Sequence, residues 1–443
     1  MISAASAIAT EPLPWRRGVV WLLFLGPFFF LSYGFANRIA AHREITDSLV
    51  FGWEQNIPFL PWTILPYWSI DLFYGLSFLC CRDRLQVDRH ALRLLTAQLV
   101  CVSFFLLFPL HFTFERPPTE GMFGAMFDAL MGFDQPYNQA PSLHIALLVI
   151  IWVRFAAVLP AFWRIVAHGW AVLIGVSVLT TFQHHFVDIP TGAAVGLLCL
   201  WLWPNAGPLP VANSIPGISA QRRKLAAYYA VAAMLLAVAA LYSGGAVLWL
   251  CWVALALGLV AFIYLVPGAA GFQKRNGRHS LAVTLLLAPY IAGAWLNSRW
   301  WTRHRPQPDK IFDNVWLGRL PTRDEMAAGP FAALCDLTAE LPAPRGNWHY
   351  AGLPWLDLVP PDATQLEEVA QRIEALRANG PVLVCCALGY SRSACALAAW
   401  LLLSGRVQSV EAALLLLREK RPQVVLGAAH RAVLEGLSRR SND

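Results

Sequence analysis

Nine apolar runs fill the chain ahead of Arg303, and no run of that length follows it. They lie at about 18–35, 62–81, 92–112, 143–160, 165–182, 186–203, 225–242, 247–266 and 281–296. Each is near the roughly 20 residues a helix needs to cross a bilayer. Charged residues make up 14% of the 443, against about 25% in soluble proteins, and the deficit falls before Arg303. The fold expected is a membrane domain of about 8–9 helices followed by an α/β domain. The expected divisions are 1–60 (first span and loop), 61–205 (membrane core), 206–302 (further membrane helices and linker) and 303–443 (soluble domain).

The basic residues punctuate these runs. Arg16/Arg17, Arg82/Arg84/Arg89/Arg93, Arg154/Arg164, Arg222/Arg223/Lys224 and Lys274/Arg275/Arg278 fall on alternate loops, which the positive-inside rule places in the cytoplasm. The net charge of +7 therefore reads as topology and not as nucleic-acid binding. Loops 37–60 and 113–142, and the turn near His184, then face outward. No small-residue cleavage site directly follows the first run, so an uncleaved first span is expected. The ninth run has basic residues on both flanks, Arg278 before and Arg299 and Arg303 after. It either spans or lies at the interface as an anchor, and the side holding the C-terminal domain follows from which. The nine cysteines show no CxxC or Cys/His spacing, so neither a disulfide framework nor a metal site is indicated.

Residues 382–393 read Val-Leu-Val-Cys-Cys-Ala-Leu-Gly-Tyr-Ser-Arg-Ser, ahead of an Ala/Leu-rich stretch. That order is buried strand, tight loop, helix. Inward N–H groups and a helix N-terminus make such a loop an anion nest. A thiol there, Cys386, loses its proton readily and becomes a nucleophile. Arg392 offers a planar fork for two phosphate oxygens, and Gly389 permits the sharp turn. The loop has the composition of one that cleaves phosphate esters.

A second constellation lies at the outward loops: Arg116-Pro117, Pro141-Ser142-Leu143-His144, and His184-His185-Phe186-Val187-Asp188. Ionisable residues at membrane edges are costly and usually functional. In a helical stretch, His184 and Asp188 would share a face, with Asp188 holding one imidazole nitrogen and leaving the other nucleophilic. Single histidines there would serve equally as interfacial anchors. The ordered set resembles the type 2 phosphatidic acid phosphatase superfamily over residues 60–205. That resemblance implies a phosphohistidine mechanism: His184 attacks, Asp188 orients it, His144 protonates the leaving oxygen, and Arg116 and Ser142 hold the phosphate. The lysine expected seven before Arg116 is Pro109, and the Ser-Arg pair expected before His184 is Ser177-Val178. Fewer cations suit a diester monoanion, as in the inositolphosphorylceramide and sphingomyelin synthase branch.

From about Lys310 onward the chain resembles the dual-specificity, cysteine-dependent phosphatases. The match rests on Cys386-x2-Gly389-x2-Arg392-Ser393 and on 409–422 after it. The resemblance implies that Cys386 attacks phosphorus, Asp357 in Trp355-Leu356-Asp357-Leu358 is the general acid, and Ser393 helps the thiolate leave. The residue before the nucleophile, His in that family, is Cys385 here. Arg392 is the only cation in the loop, which favours a singly phosphorylated substrate. Both families work without metal or cofactor. Bacterial fusions of the two families resemble this chain along almost its full length, and they imply an inner-membrane enzyme acting on a phospholipid or phosphorylated lipid. The alternative expectation is a membrane-anchored signalling phosphatase acting on a phosphoprotein.

Strands are expected at 311–318, 333–337 and 382–385, and helices at 362–377, 392–403, 409–418 and 428–437. Strands interleaved with helices imply a sheet covered by helices.

Overall fold

A computed structural model describes residues 14–43, 45, 47–212 and 218–442. Residues 1–13 of the expected N-terminal segment lie outside the described residues. The chain forms two compact units, Met1–Leu209 and Pro210–Asp443.

The described helices of the first unit are α1 (Trp15–Ala41), α2 (Ile64–Ser77), α3 (Arg84–Leu107), α4 (Gly121–Met131), α5 (Leu143–Val158), α6 (Ala161–Thr180) and α7 (Asp188–Leu202). Their buried faces meet in one core that includes Tyr67, Leu94, Ile150 and Val178. Much of the remaining apolar surface is open, as at Leu23 and Leu31 of α1. A helix apolar on nearly all sides belongs in an apolar medium. Two glycines set the closest approach. A Cβ on Gly192 would stand 2.5 Å from the Ser142 carbonyl oxygen, and one on Gly196 would stand 2.7 Å from that of Ala146. Glycines four apart let α7 lie directly against the start of α5.

The second unit opens with α8 (Ala220–Ser243) and α9 (Leu250–Leu265). Between them Gly244 and Gly245 have φ of 64° and 53°, the reversal expected at Tyr242-Ser243-Gly244-Gly245. Among the described residues, five helical stretches are long and apolar enough to cross a membrane: Trp15–Ala41, Arg84–Leu107, Ala161–Thr180, Ala220–Ser243 and Gly245–Leu265. The second, fourth and sixth expected runs form the shorter helices α2, α5 and α7, and the ninth is not among the five either. It breaks into α10 (Leu281–Leu286) and α11 (Ala288–Trp301). Pro289, which has no N–H to give, falls in the first turn of α11.

The α/β domain follows, with β1 (Asp309–Phe312), β2 (Val315–Arg319), α12 (Arg323–Ala328), β3 (Ala333–Thr338), β4 (His349–Trp355), α13 (Ala363–Arg377), β5 (Val382–Cys386), α14 (Arg392–Leu403), α15 (Val410–Lys420) and α16 (Ala428–Asn442). The sheet order is β1-β2-β5-β3-β4. β1 is antiparallel to β2, and the other pairs are parallel. The single strand expected at 311–318 is a hairpin, because Asp313 takes a left-handed φ of 43° and turns the chain.

Alternate residues of β5 feed two cores. Val382, Val384 and Cys386 join the side packed by α13–α16. Leu383 and Cys385 join a smaller core that Ile291 and Ala294 of α11 pack against. A parallel strand buried on both faces reads as a continuous apolar run, which Val-Leu-Val-Cys-Cys is. The tether is polar as well. Lys274, on the segment before α10, places Nζ 2.6 Å from Asp336 Oδ2, 2.7 Å from the Thr338 carbonyl and 2.8 Å from Thr338 Oγ1. All three ammonium donors are thereby used.

Candidate active sites

In the first unit the close contact of α5 and α7 brings three expected residues together. His184 Nδ1 lies 2.9 Å from Asp188 Oδ2, and its Nε2 lies 3.2 Å from Ser142 Oγ. The pair does not share a helical face. His184 sits in the turn ahead of α7, and Asp188 is the first helical residue, so the turn and not helical spacing makes the contact. Ser142 caps α5, its Oγ accepting from the Ile145 N–H at 3.3 Å. His144 stacks on Tyr67 with ring centroids 4.2 Å apart, and its buried Nε2 has no partner.

Both histidines line a cavity of ≈ 220 Å³ with Tyr33, Tyr67, Asp71 and Asp134. Arg116 is placed differently. It donates to the Thr181 and Phe182 carbonyls at 3.2 and 3.3 Å and lies over the Phe127 ring, and it is not among the cavity-lining residues. Asp134 was not singled out from the sequence. It accepts from the Tyr33 hydroxyl at 2.6 Å and the Tyr67 hydroxyl at 3.3 Å. A lone Asp after a short helix carries no motif to flag it. His185 is held apart, with Nδ1 3.2 Å from Glu54 Oε2 and Nε2 accepting from the Thr113 N–H at 3.2 Å.

In the second unit β5 delivers its last residue, Cys386, to the loop that precedes α14. The Gly389 N–H and the Ser393 hydroxyl both donate to Cys386 Sγ at 3.2 Å. The loop's carbonyls are taken from outside. The Leu320 N–H donates to the Cys386 carbonyl at 2.7 Å, and the Val425 N–H donates to that of Tyr390 at 2.9 Å. The Ser298 hydroxyl of α11 donates to the Ala387 carbonyl. Arg421, fully buried, donates to the Leu388 and Gly389 carbonyls and is fixed by Asp309 at 2.8 Å. Gly389 has φ 75°, and a Cβ there would lie 2.4 Å from the Gly318 carbonyl carbon, so no other residue fits.

Arg392 opens α14 beneath this nest. Its Nη1 donates to Glu340 Oε2 at 2.8 Å and to the Trp355 carbonyl at 3.0 Å. Its Nη2 reaches Glu340 Oε1 at 2.5 Å and Asp357 Oδ1 at 3.0 Å. Its Nε–H is buried with no partner. One edge of the fork is thus locked by Glu340, while the Nε–H is left for an incoming oxyanion.

Residues 316–439 match the family model "Dual specificity phosphatase, catalytic domain". The C-terminal region is a dual specificity phosphatase domain. Among curated proteins, no sequence matches the chain. Solved structures similar to it include Tk-PTP in the active form, at 31% identity over 31% of this chain and 99% of that one, with a TM-score of 0.29. Human DUSP28 is similar at 20% identity over 30% and 97%, with a TM-score of 0.28. PTPMT1 in complex with PI(5)P is similar at 19% identity over 30% and 95%, with a TM-score of 0.27.

The electrostatics of the phosphatase site follow from burial against charge. Burial opposes the Arg392 cation, but Glu340 and Asp357 outweigh it and hold the guanidinium well above its ordinary value. Burial would raise Glu340, yet Arg392 wins and keeps that carboxyl below its usual range. Asp357 goes the other way: burial, with Glu340 adding, overcomes the pull of Arg392 and raises its pKa. A raised carboxyl pKa is what a proton donor needs. Cys385 lies on the opposite face of β5 from Cys386. Burial first, and then Asp336, push its thiol well above the ordinary value, so it stays neutral. Glu340 escaped the sequence reading. Its one signal was position, a carboxylate just past a buried parallel strand next to β5, at the sheet edge where ligands collect.

Proposed function

We propose that the protein is an integral membrane enzyme of phospholipid metabolism that handles phosphate esters at two sites. The observation that carries this reading is Cys386 Sγ set in a nest whose carbonyls are held outward, with the free Nε–H of Arg392 behind it. The Cys386 thiolate attacks phosphorus and the bond to the leaving oxygen breaks, that oxygen taking the Asp357 proton. Water, deprotonated by the Asp357 carboxylate, then breaks the S–P bond and releases phosphate, with Ser393 stabilising the departing thiolate. Arg392 as the loop's only cation suits a singly phosphorylated substrate. A lipid monoester is favoured because α11 closes one face of the sheet and gives its Ser298 hydroxyl to the loop.

At the other site, His184 takes a phospho-alcohol head group from one lipid and passes it to a second, with Asp188 orienting the imidazole and His144 managing the proton of the leaving oxygen. The 2.9 Å His184–Asp188 contact supports this role. Ser142 and Arg116 complete it, Ser142 at the phosphate and Arg116 by bracing the Thr181 and Phe182 carbonyls ahead of His184. Membranes holding the full chain should exchange head groups with a labelled phosphodiester lipid, and His184→Ala should lose at least a hundredfold of that rate. Activity on phosphatidate alone would overturn the transferase reading.

The phosphatase site works on the cytoplasmic face. Both ends of the α10–α11 segment are held by the phosphatase domain: Lys274 and His279 at one end, by Asp336 and the Ala339 carbonyl, and Ser298 and Arg299 at the other, by the Ala387 and Leu320 carbonyls. The domain therefore shares the side of the Lys274–Arg278 loop, which the charge rule puts inside. A cysteine introduced as Glu411→Cys, at an exposed position, should escape a membrane-impermeant maleimide in intact cells and react after permeabilisation. Labelling of intact cells beyond the unsubstituted chain would reverse the assignment.

A further inference from the structure

The Asp357 loop leaves the phosphatase domain's own framework. β4 ends at Trp355, and two residues later Asp357 carries the carboxyl that faces Arg392. Leu358 then turns at a left-handed φ of 58° and is 57% exposed. Two carbonyls of this turn take their donors from the apolar helices. The Tyr264 hydroxyl, at the end of α9, donates to the Asp357 carbonyl at 3.0 Å. Gln221, at the start of α8, donates to the Leu358 carbonyl at 3.5 Å.

Tyr264 is itself firmly set. Its side chain is buried, and its own carbonyl accepts from Arg222 Nε of α8 at 2.8 Å. Its ring packs on Tyr229 with centroids 5.6 Å apart, and Tyr229 packs on Tyr290 of α11 at 5.9 Å. Three helices thus fix one hydroxyl, and that hydroxyl fixes the backbone of the acid.

We propose that α8 and α9 are part of the phosphatase's catalytic apparatus, with Tyr264 as the positioning residue that holds the Asp357 carboxyl against Arg392, assisted by Gln221. The inference rests on Asp357 being the general acid. Proton donation matters most when the leaving group is a poor one. An alkoxide, as from an aliphatic or lipid alcohol, must be protonated as the P–O bond breaks, whereas a nitrophenolate leaves almost unaided. Tyr264 is therefore a determinant of which esters the site can cleave: it admits alkyl monoesters.

The test uses the full chain in lipid nanodiscs, with p-nitrophenyl phosphate and hexyl phosphate as the two esters. Tyr264→Phe keeps the ring packing and removes only the hydroxyl. We expect it to lose about five- to tenfold more rate on hexyl phosphate than on the aryl ester, the scale of one hydrogen bond. Its alkaline limb should shift to lower pH as Asp357 becomes better solvated. Asp357→Asn should show the same selectivity more strongly, and Tyr264→Phe/Asp357→Asn should be no worse than Asp357→Asn. Equal losses on both esters in Tyr264→Phe, or no loss on either, overturn the proposal. Asp357→Asn losing equally on both esters overturns the general-acid reading itself, which is a separate result.

Discussion

Replacing Cys386 by serine is expected to remove phosphate-monoester turnover, by roughly 10⁴-fold or more. The loop aims two donors at one atom. Cys386 Sγ receives the Gly389 N–H and the Ser393 hydroxyl, each at 3.2 Å, at the N-terminus of α14. A serine hydroxyl in that place keeps the shape and loses the nucleophile, because an alcohol does not ionise where a thiol does. The measurement is release of phosphate by the full chain in nanodiscs, with phosphate-analogue binding as the control for an intact nest. Turnover within tenfold of the parent would remove Cys386 from the mechanism. The full chain matters, because the loop's Ala387 carbonyl is satisfied by Ser298 of α11.

The second large effect is expected from Glu340→Ala. Glu340 and Arg392 form a buried bidentate pair, 3% and 1% exposed. Removing one partner of such a pair leaves a buried charge uncompensated, at a cost of about 3–5 kcal/mol. Thermal unfolding should register that loss, and kcat/KM should fall as Arg392 swings out of register with the nest. Arg392→Ala/Glu340→Ala should recover much of the stability and none of the activity. If Glu340→Ala unfolds like the parent, the pair is not the clamp described above.

How much of this could be read in advance differs by residue. Cys386, Gly389, Arg392 and Ser393 announce themselves because a strand-loop-helix nest is contiguous, so spacing alone encodes it. Asp357 needed the family resemblance, since one Asp after a strand has no local signature. β4, His349–Trp355, was missed because Gly352 and Pro354 dilute its strand pattern. His184 and Asp188 meet through a turn and not through helical spacing, and the glycines at 192 and 196 that seat them against Ser142 matter only once α5 is their neighbour. The contacts of Glu340, Tyr264 and Lys274 are invisible in the sequence for one shared reason. Each acts across a distance in sequence, 52 residues for Glu340–Arg392 and 93 for Tyr264–Asp357, that no local periodicity reports.

The covering of β5 by α11 also sets an order of events during synthesis. Ile291 and Ala294 leave the ribosome well before Leu383 and Cys385, the strand residues whose core they join. At roughly 5–20 residues per second, those intervening residues take about 5–20 s to appear. For that interval the apolar side of α11 has no sheet to meet. One helix of this smaller core thus waits on the strand that completes it.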